Sequence, residues 1–123
     1  MSYQADGDFT KQKKAFGTGQ CVALVRALTD APPSSLWREG GKLIDLLEAN
    51  VYIAPGTAIA TFSDGRYPNK SHGNHAAIFL RWVGNGARVF HQWKGKAPHI
   101  STLAFGVKEP KIFLRAESYS VVL

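Results

Sequence analysis

One cysteine, one methionine, few acids and no long apolar run mark this chain of 123 residues. A single cysteine cannot close an internal bridge, so the fold does not depend on oxidation. No segment has the length of apolar residues that a membrane span needs, so no membrane span is expected. Met1 to Lys14 holds no apolar h-region, so no secretory signal is visible. Synthesis in the cytoplasm is the expectation, with any export using a route that needs no such signal. Nine acidic residues stand against fifteen basic ones, a net charge of +6. That balance suits an anionic partner such as nucleic acid, a membrane surface or a cell-wall polymer, and does not choose among them. The basic residues are scattered apart from Lys11-Gln12-Lys13-Lys14 and Lys94-Gly95-Lys96, which read as solvated surface. Apolar and charged fractions of 45% and 20% argue against disorder.

What is present divides into two halves. Residues 1–15 are polar and read as a lead-in; residues 16–123 read as a single domain. Thr18 is a plausible helix N-cap. Residues 19–30 have helical spacing, with Val22, Ala23, Val25 and Leu28 as the buried face, and Pro32-Pro33 ends them. Ser34-Ser35 can cap a short turn carrying Leu36 and Trp37. Gly40-Gly41 breaks the chain, and Lys42 to Ala49 reads as a second helix. After the Pro55-Gly56 turn come strands at Thr57–Phe62, His75–Trp82 and Ala87–Trp93, with weaker ones near His99–Leu103 and Ser118–Leu123. Ser63 to Asn74 is a loop rich in turn residues. Helices first and antiparallel strands after predict an α+β domain with N-terminal helices packed on a sheet.

Cys21 follows Gly17-Thr18-Gly19-Gln20 at the start of the first helix. Unpaired N–H groups and the helix dipole favour negative charge there, and so favour thiolate. Taken alone, a free cysteine is more often a small buried hydrophobe. A nucleophile needs an imidazole within reach and a third group to orient the ring. The chain offers His72, His75, His91 and His99. His75 opens a strand directly after small residues, at the rim of the sheet, and is the best base. The third group depends on the hairpin Gly84-Asn85-Gly86. A three-residue loop pairs Val83 with Ala87 and puts His91 on the face of His75; a two-residue loop puts Gln92 there. The three-residue count suits the string more simply and favours His91, with Gln92 the alternative. Gln20, by adjacency, is a candidate oxyanion donor. Trp37 and Tyr67 are candidates for substrate binding, although a Trp at such a position is more often core.

The order of these features resembles the papain-like superfamily of bacterial cell-wall hydrolases, the NlpC-type peptidases and CHAP-type amidases. Gly19-Gln20-Cys21-Val22-Ala23-Leu24 resembles the element that opens their nucleophile helix. Trp37 follows at a spacing familiar from CHAP domains. Ile53-Ala54-Pro55-Gly56-Thr57-Ala58 resembles their Pro-Gly-Asp turn, and Gly73-Asn74-His75-Ala76-Ala77-Ile78 their Gly-His strand, with the hairpin after it. The likeness runs from about residue 16 to 93. It departs in two places: Thr57 stands where Asp is usual, and Asn74 is inserted between glycine and histidine.

The resemblance implies a papain-like fold and a cysteine peptidase or amidase. Its substrate would be peptidoglycan or a muropeptide, cut in the peptide stem or at the sugar junction. Cys21, His75 and His91 would be the catalytic residues, with no cofactor and no metal. Small relatives without a signal include toxins that type VI secretion systems inject into a rival's periplasm, a use in which an immunity protein is a partner. No nucleic acid is expected as partner. Three other readings compete. His72 and His75, with Cys21 or His91, could hold zinc, but no CxxC or HExxH is present. A basic, aromatic chain could be a binding module for glycan or nucleic acid. The same three residues could also run acyl transfer or deamidation on another substrate.

Overall fold

The computed structural model describes residues 2–68, 70, 73–106 and 115–123. Its elements are α1 (Cys21–Leu28), β1 (Glu39–Lys42), α2 (Leu43–Glu48), β2 (Ala58–Thr61), β3 (Ala76–Val83), β4 (Gly86–Trp93), β5 (Lys96–Ala104) and β6 (Tyr119–Val122). The six strands form one sheet in the order β1-β6-β2-β3-β4-β5, every pairing antiparallel. Helices precede most of the strands, and the domain is α+β.

Strand alternation sorts the core onto two faces. Ala58, Ala60, Ala76, Ile78 and Phe90 pack with Leu24 and Val25 of α1. Ile59, Ala77, Phe79, Val89 and Leu103 pack on the other side with Leu43 and Tyr119. The alanines under α1 let the helix sit close to β3 and β4, which it contacts. No helix among the described residues is long and apolar enough to cross a membrane.

Four local expectations are corrected. The N-cap of α1 is Gln20, in extended conformation (φ −84°, ψ 159°), and not Thr18. The helix closes at Thr29, whose hydroxyl donates to the Val25 carbonyl (2.8 Å) and accepts from the Ala31 N–H (3.0 Å). Gly40-Gly41 does not break the chain but forms edge strand β1. A Cβ at Gly40 would come within 2.8 Å of the Val121 carbonyl oxygen, so only glycine lets β1 lie against β6. The stretch 1–15 is not loose throughout. Ala5 N–H donates to the Gly56 carbonyl and Ala58 N–H to the Tyr3 carbonyl, both at 2.8 Å, and Ala5 is buried. Gly56 itself (φ +98°) sits where a Cβ would collide with the Ala5 carbonyl, which is why the Pro-Gly turn needs it.

The fourth correction sets the site. The hairpin loop has two residues, Gly84 and Asn85, because Val83 pairs with Gly86. Gly84 takes a positive φ of 47°, as glycine does at the first position of a type II′ turn. Two residues would place Gln92 on the face of His75. A β-bulge between Phe79 and Arg81 shifts the register by one, so that Ile78 pairs with Phe90. Beyond the bulge, odd-numbered residues of β3 and β4 share a face, and His91 falls on the side of His75 after all.

Candidate active site

The site lies where β3 begins and β4 ends. Cys21 is the first residue of α1 and is half-buried. The loop before it turns through Gly17 (φ +51°) and Gly19 (φ +88°). Gln92, fully buried, clamps that loop. Its side-chain oxygen accepts from Phe16 N–H at 2.9 Å, and its amide nitrogen donates to the carbonyls of Phe16 (2.9 Å) and Gln20 (2.8 Å). The amide is thus committed to the loop that leads into α1. Gln20 is solvent-exposed, and its contact with the site is through its backbone.

His75 is held from behind. Its N–H donates to the Thr61 hydroxyl at 3.0 Å, and its carbonyl accepts from Thr61 N–H at 3.0 Å. Its ring nitrogen Nε2 lies 2.9 Å from Nδ1 of His91, and Nε2 of His91 lies 2.7 Å from the Ser101 hydroxyl of β5. Both histidines are buried. Burial, then the His99 charge, lowers the His75 pKa from 6.5 to about 4. Burial, then His75 and His99, lowers that of His91 to about 3. Desolvation penalises the charged imidazolium, so both rings are neutral at pH 7. Each neutral ring carries one N–H, and one of the two must donate in the bond between them. Trp93 is part-exposed and meets His75, His91 and His99 edge-on, at ring centroid distances of 5.9, 5.3 and 5.0 Å.

The loop after β2 brings a further group. Ser63 and Arg66 exchange backbone hydrogen bonds around Asp64 (φ +53°) and Gly65 (φ +76°), a tight type I′ reversal. Tyr67 follows, and its hydroxyl lies 3.6 Å from the Cys21 sulfur. Asn74 Nδ2 donates to the same hydroxyl at 3.0 Å. The hydrogen bond of Cys21 therefore goes to Tyr67 and not directly to His75, while Asn74, next to His75 in the chain, closes the circuit. Trp37 is fully buried, stacks on Tyr67 at 5.2 Å and donates its indole N–H to the Pro32 carbonyl at 2.8 Å. A side chain with no exposed surface cannot wall a substrate cleft, so Trp37 is core that supports Tyr67. Tyr67, 6% exposed, is likewise not an open substrate surface; its hydroxyl is turned inward to the sulfur.

Thr57, standing where Asp is usual, donates its hydroxyl to the Ala54 carbonyl at 2.7 Å and so makes the turn contact itself. An open cleft of about 440 Å³ is bordered by Glu39, Lys42, Thr61, Lys70 and Ser120. None of Cys21, His75 or His91 lines it. Among the described residues no group of three His, Cys, Asp or Glu is placed to hold a metal ion. His72, considered as a zinc ligand, lies outside the described residues. Ser101 and the exposed Trp93 were not singled out by sequence reasoning. The signal for Ser101 was the alternation of His99 and Ser101 on a strand predicted beside His91.

At 43% identity over 75 residues, the chain is similar to a type VI secretion amidase effector 2 protein of Salmonella typhi. The match takes in 61% of this chain and 53% of the relative, so the chain spans about half the length of that curated relative. A solved structure of a type 6 secretion amidase effector 2 superposes with a TM-score of 0.75 at 32% identity, over 90% of this chain and 86% of that one. The fold is the papain-like α+β fold. The family model of domesticated amidase effector 2 matches residues 4–120, and the chain belongs to that family.

Proposed function

We propose that this protein is a cysteine amidase that cuts an amide bond in bacterial peptidoglycan, with Cys21 as nucleophile, His75 as base and His91 as orienting group. The observation that carries the proposal is the His75 Nε2–His91 Nδ1 contact of 2.9 Å, together with a cysteine that opens a helix, in a member of an amidase effector family. The relatives' names support delivery by a type VI secretion apparatus to the periplasm of a target cell; an immunity protein that protects the producer is part of the same proposal.

The proposed roles require one pair of tautomers. His75 must present a lone pair to the thiol. Nε2 faces His91, so Nδ1 is the basic nitrogen and Nε2 carries the hydrogen. Nε2–H of His75 then donates to Nδ1 of His91, and Nε2–H of His91 donates to the Ser101 oxygen. Because burial keeps His75 neutral, it is ready to take a proton at pH 7. Cys21 and His75 hold separate hydrogen bonds here, as catalytic pairs often do before substrate tightens them. On attack the sulfur bonds to the amide carbon, the carbonyl π pair moves to oxygen, and the thiol proton goes to Nδ1 of His75. His75 returns that proton to the leaving nitrogen as the C–N bond breaks. Water then resolves the thioester, with His75 taking its proton.

The test is digestion of purified peptidoglycan by wild type and Cys21→Ala, with products read by mass spectrometry. Wild type should release fragments bearing a new amine and a new carboxylate, and Cys21→Ala none. Equal release by both, or none by either, overturns the reading.

A further inference from the structure

We infer that Tyr67 is a catalytic residue of this site: its phenol O–H, aimed by Asn74, is an oxyanion donor. This rests on Cys21 being the nucleophile, as proposed above.

The hydrogen positions follow from the partners. Asn74 Oδ1 accepts the Lys70 N–H at 2.8 Å, which fixes the amide so that Nδ2 faces Tyr67. Nδ2 can only donate, so it fills a lone pair of the Tyr67 oxygen at 3.0 Å. The phenol keeps its hydrogen and its second lone pair for the other neighbour, the Cys21 sulfur at 3.6 Å, where either atom can donate. A hydroxyl in contact with the attacking sulfur stands beside the carbonyl that the sulfur attacks. In the tetrahedral intermediate the oxyanion is bound to the same carbon as the sulfur. A hydroxyl at this range from sulfur therefore swings from sulfur to oxygen with little movement of its ring.

Three features suit Tyr67 to the task. Burial, and then the proximity of Cys21, raises its pKa above the ordinary value of 10, so it stays a protonated donor wherever the enzyme works. Trp37 stacks on its ring and fixes it before substrate arrives. Its position is preorganised in a site shielded from water, where a donor is worth most. In the free enzyme the hydroxyl rests 3.6 Å from the sulfur, and its hydrogen turns to the oxyanion as that charge forms. The inserted Asn74 thereby gains a function: one extra residue between Gly73 and His75 supplies the amide that aims the phenol.

The experiment compares wild type, Tyr67→Phe and Cys21→Ala in two reactions. One is hydrolysis of solubilised peptidoglycan fragments, followed as new amine over a range of concentration. The other is alkylation of Cys21 by iodoacetamide, a displacement in which no oxyanion forms. Tyr67→Phe keeps the ring on Trp37 and removes only the hydroxyl. It should lower kcat about 100- to 1,000-fold with KM within about threefold, as loss of one oxyanion donor does. Alkylation should stay within about threefold of wild type. Asn74→Ala should lower kcat about tenfold, because the phenol hydrogen loses its aim. Hydrolysis by Tyr67→Phe within threefold of wild type overturns the inference. So does an equal fall in hydrolysis and alkylation, which would mean that Tyr67 only tunes or places the thiol. Hydrolysis that survives Cys21→Ala overturns the underlying reading instead, and so marks that failure apart.

Discussion

Acidification should destabilise this protein through two buried imidazoles, and the size of the effect can be worked out. In the unfolded chain both histidines titrate near the ordinary 6.5; folded, His75 titrates near 4 and His91 near 3. Between those limits the unfolded state binds protons that the folded state refuses. Stability therefore rises with pH in that window and is lost as pH falls. At pH 5 both folded values lie below the pH, so the cost is set by the unfolded value. Linkage then gives about 2 kcal/mol for each imidazole between pH 8 and pH 5. The perturbation is His91→Gln, which removes one titrating ring and leaves an amide able to meet both His75 and Ser101. The assay is urea denaturation of both proteins at a series of pH values from 8 to 5. The loss over that range should be smaller in His91→Gln by about 2 kcal/mol. Their absolute stabilities at pH 8 do not enter; the difference of slopes does. Parallel slopes would refute the argument, because His91 would then carry the same charge folded and unfolded.

Three further outcomes follow from the same contacts. If His75 works as the base, the acid limb of kcat/KM should fall near pH 4, where its neutral form is lost, and not near 6.5; a pH–rate profile checks this. Ser101→Ala should lower kcat about tenfold by freeing the His91 tautomer, with Ser101→Thr restoring most of it in the same assay. Gln92→Leu should cost about 1–3 kcal/mol in denaturant unfolding, because the Phe16 N–H loses its partner, while the Phe16 and Gln20 carbonyls keep the N–H groups of Gly19 and Ala23.

The fold class was legible because helical spacing around Cys21 and alternation in β3 and β4 are strong local signals. The His75 face was legible only in outcome. The GNG string suggests three loop residues; the chain uses two and recovers the parity through a bulge near Leu80. A bulge is a backbone event that side-chain alternation barely records. Gly40-Gly41 misleads for a related reason: local propensity reads a break, whereas β6 supplies a surface that only glycine can approach. Tyr67 and Asn74 belong to a loop whose turn residues announce reversals but not where the returning side chain lands. Trp37 needed the same tertiary information, since its burial depends on Tyr67 and Pro32.

Strand geometry gives His91 and Gln92 different partners. Adjacent residues on a strand point to opposite faces. His91 turns to His75 and Ser101, and Gln92 turns to the backbone of Phe16 and Gln20. One dipeptide of β4 thus meets His75 with one side chain and the loop before α1 with the next. A one-residue slip of β4 would exchange them and undo both halves of the site together. The register is pinned at the hairpin root, where Gly86 pairs with Val83 on one side and Ala104 on the other. A Cβ at Gly86 would collide with the Leu103 carbonyl. Gly86→Ala should therefore cost about 1–3 kcal/mol, the usual cost of overpacking. It should also lower amide hydrolysis although it lies at the far end of β4 from His91. The turn glycine Gly84 has open space where a Cβ would go, so Gly84→Asn meets only the strain of its positive φ and no collision with β5, and is the comparison. Equal activity in the two variants would show that the site does not depend on how β4 is seated.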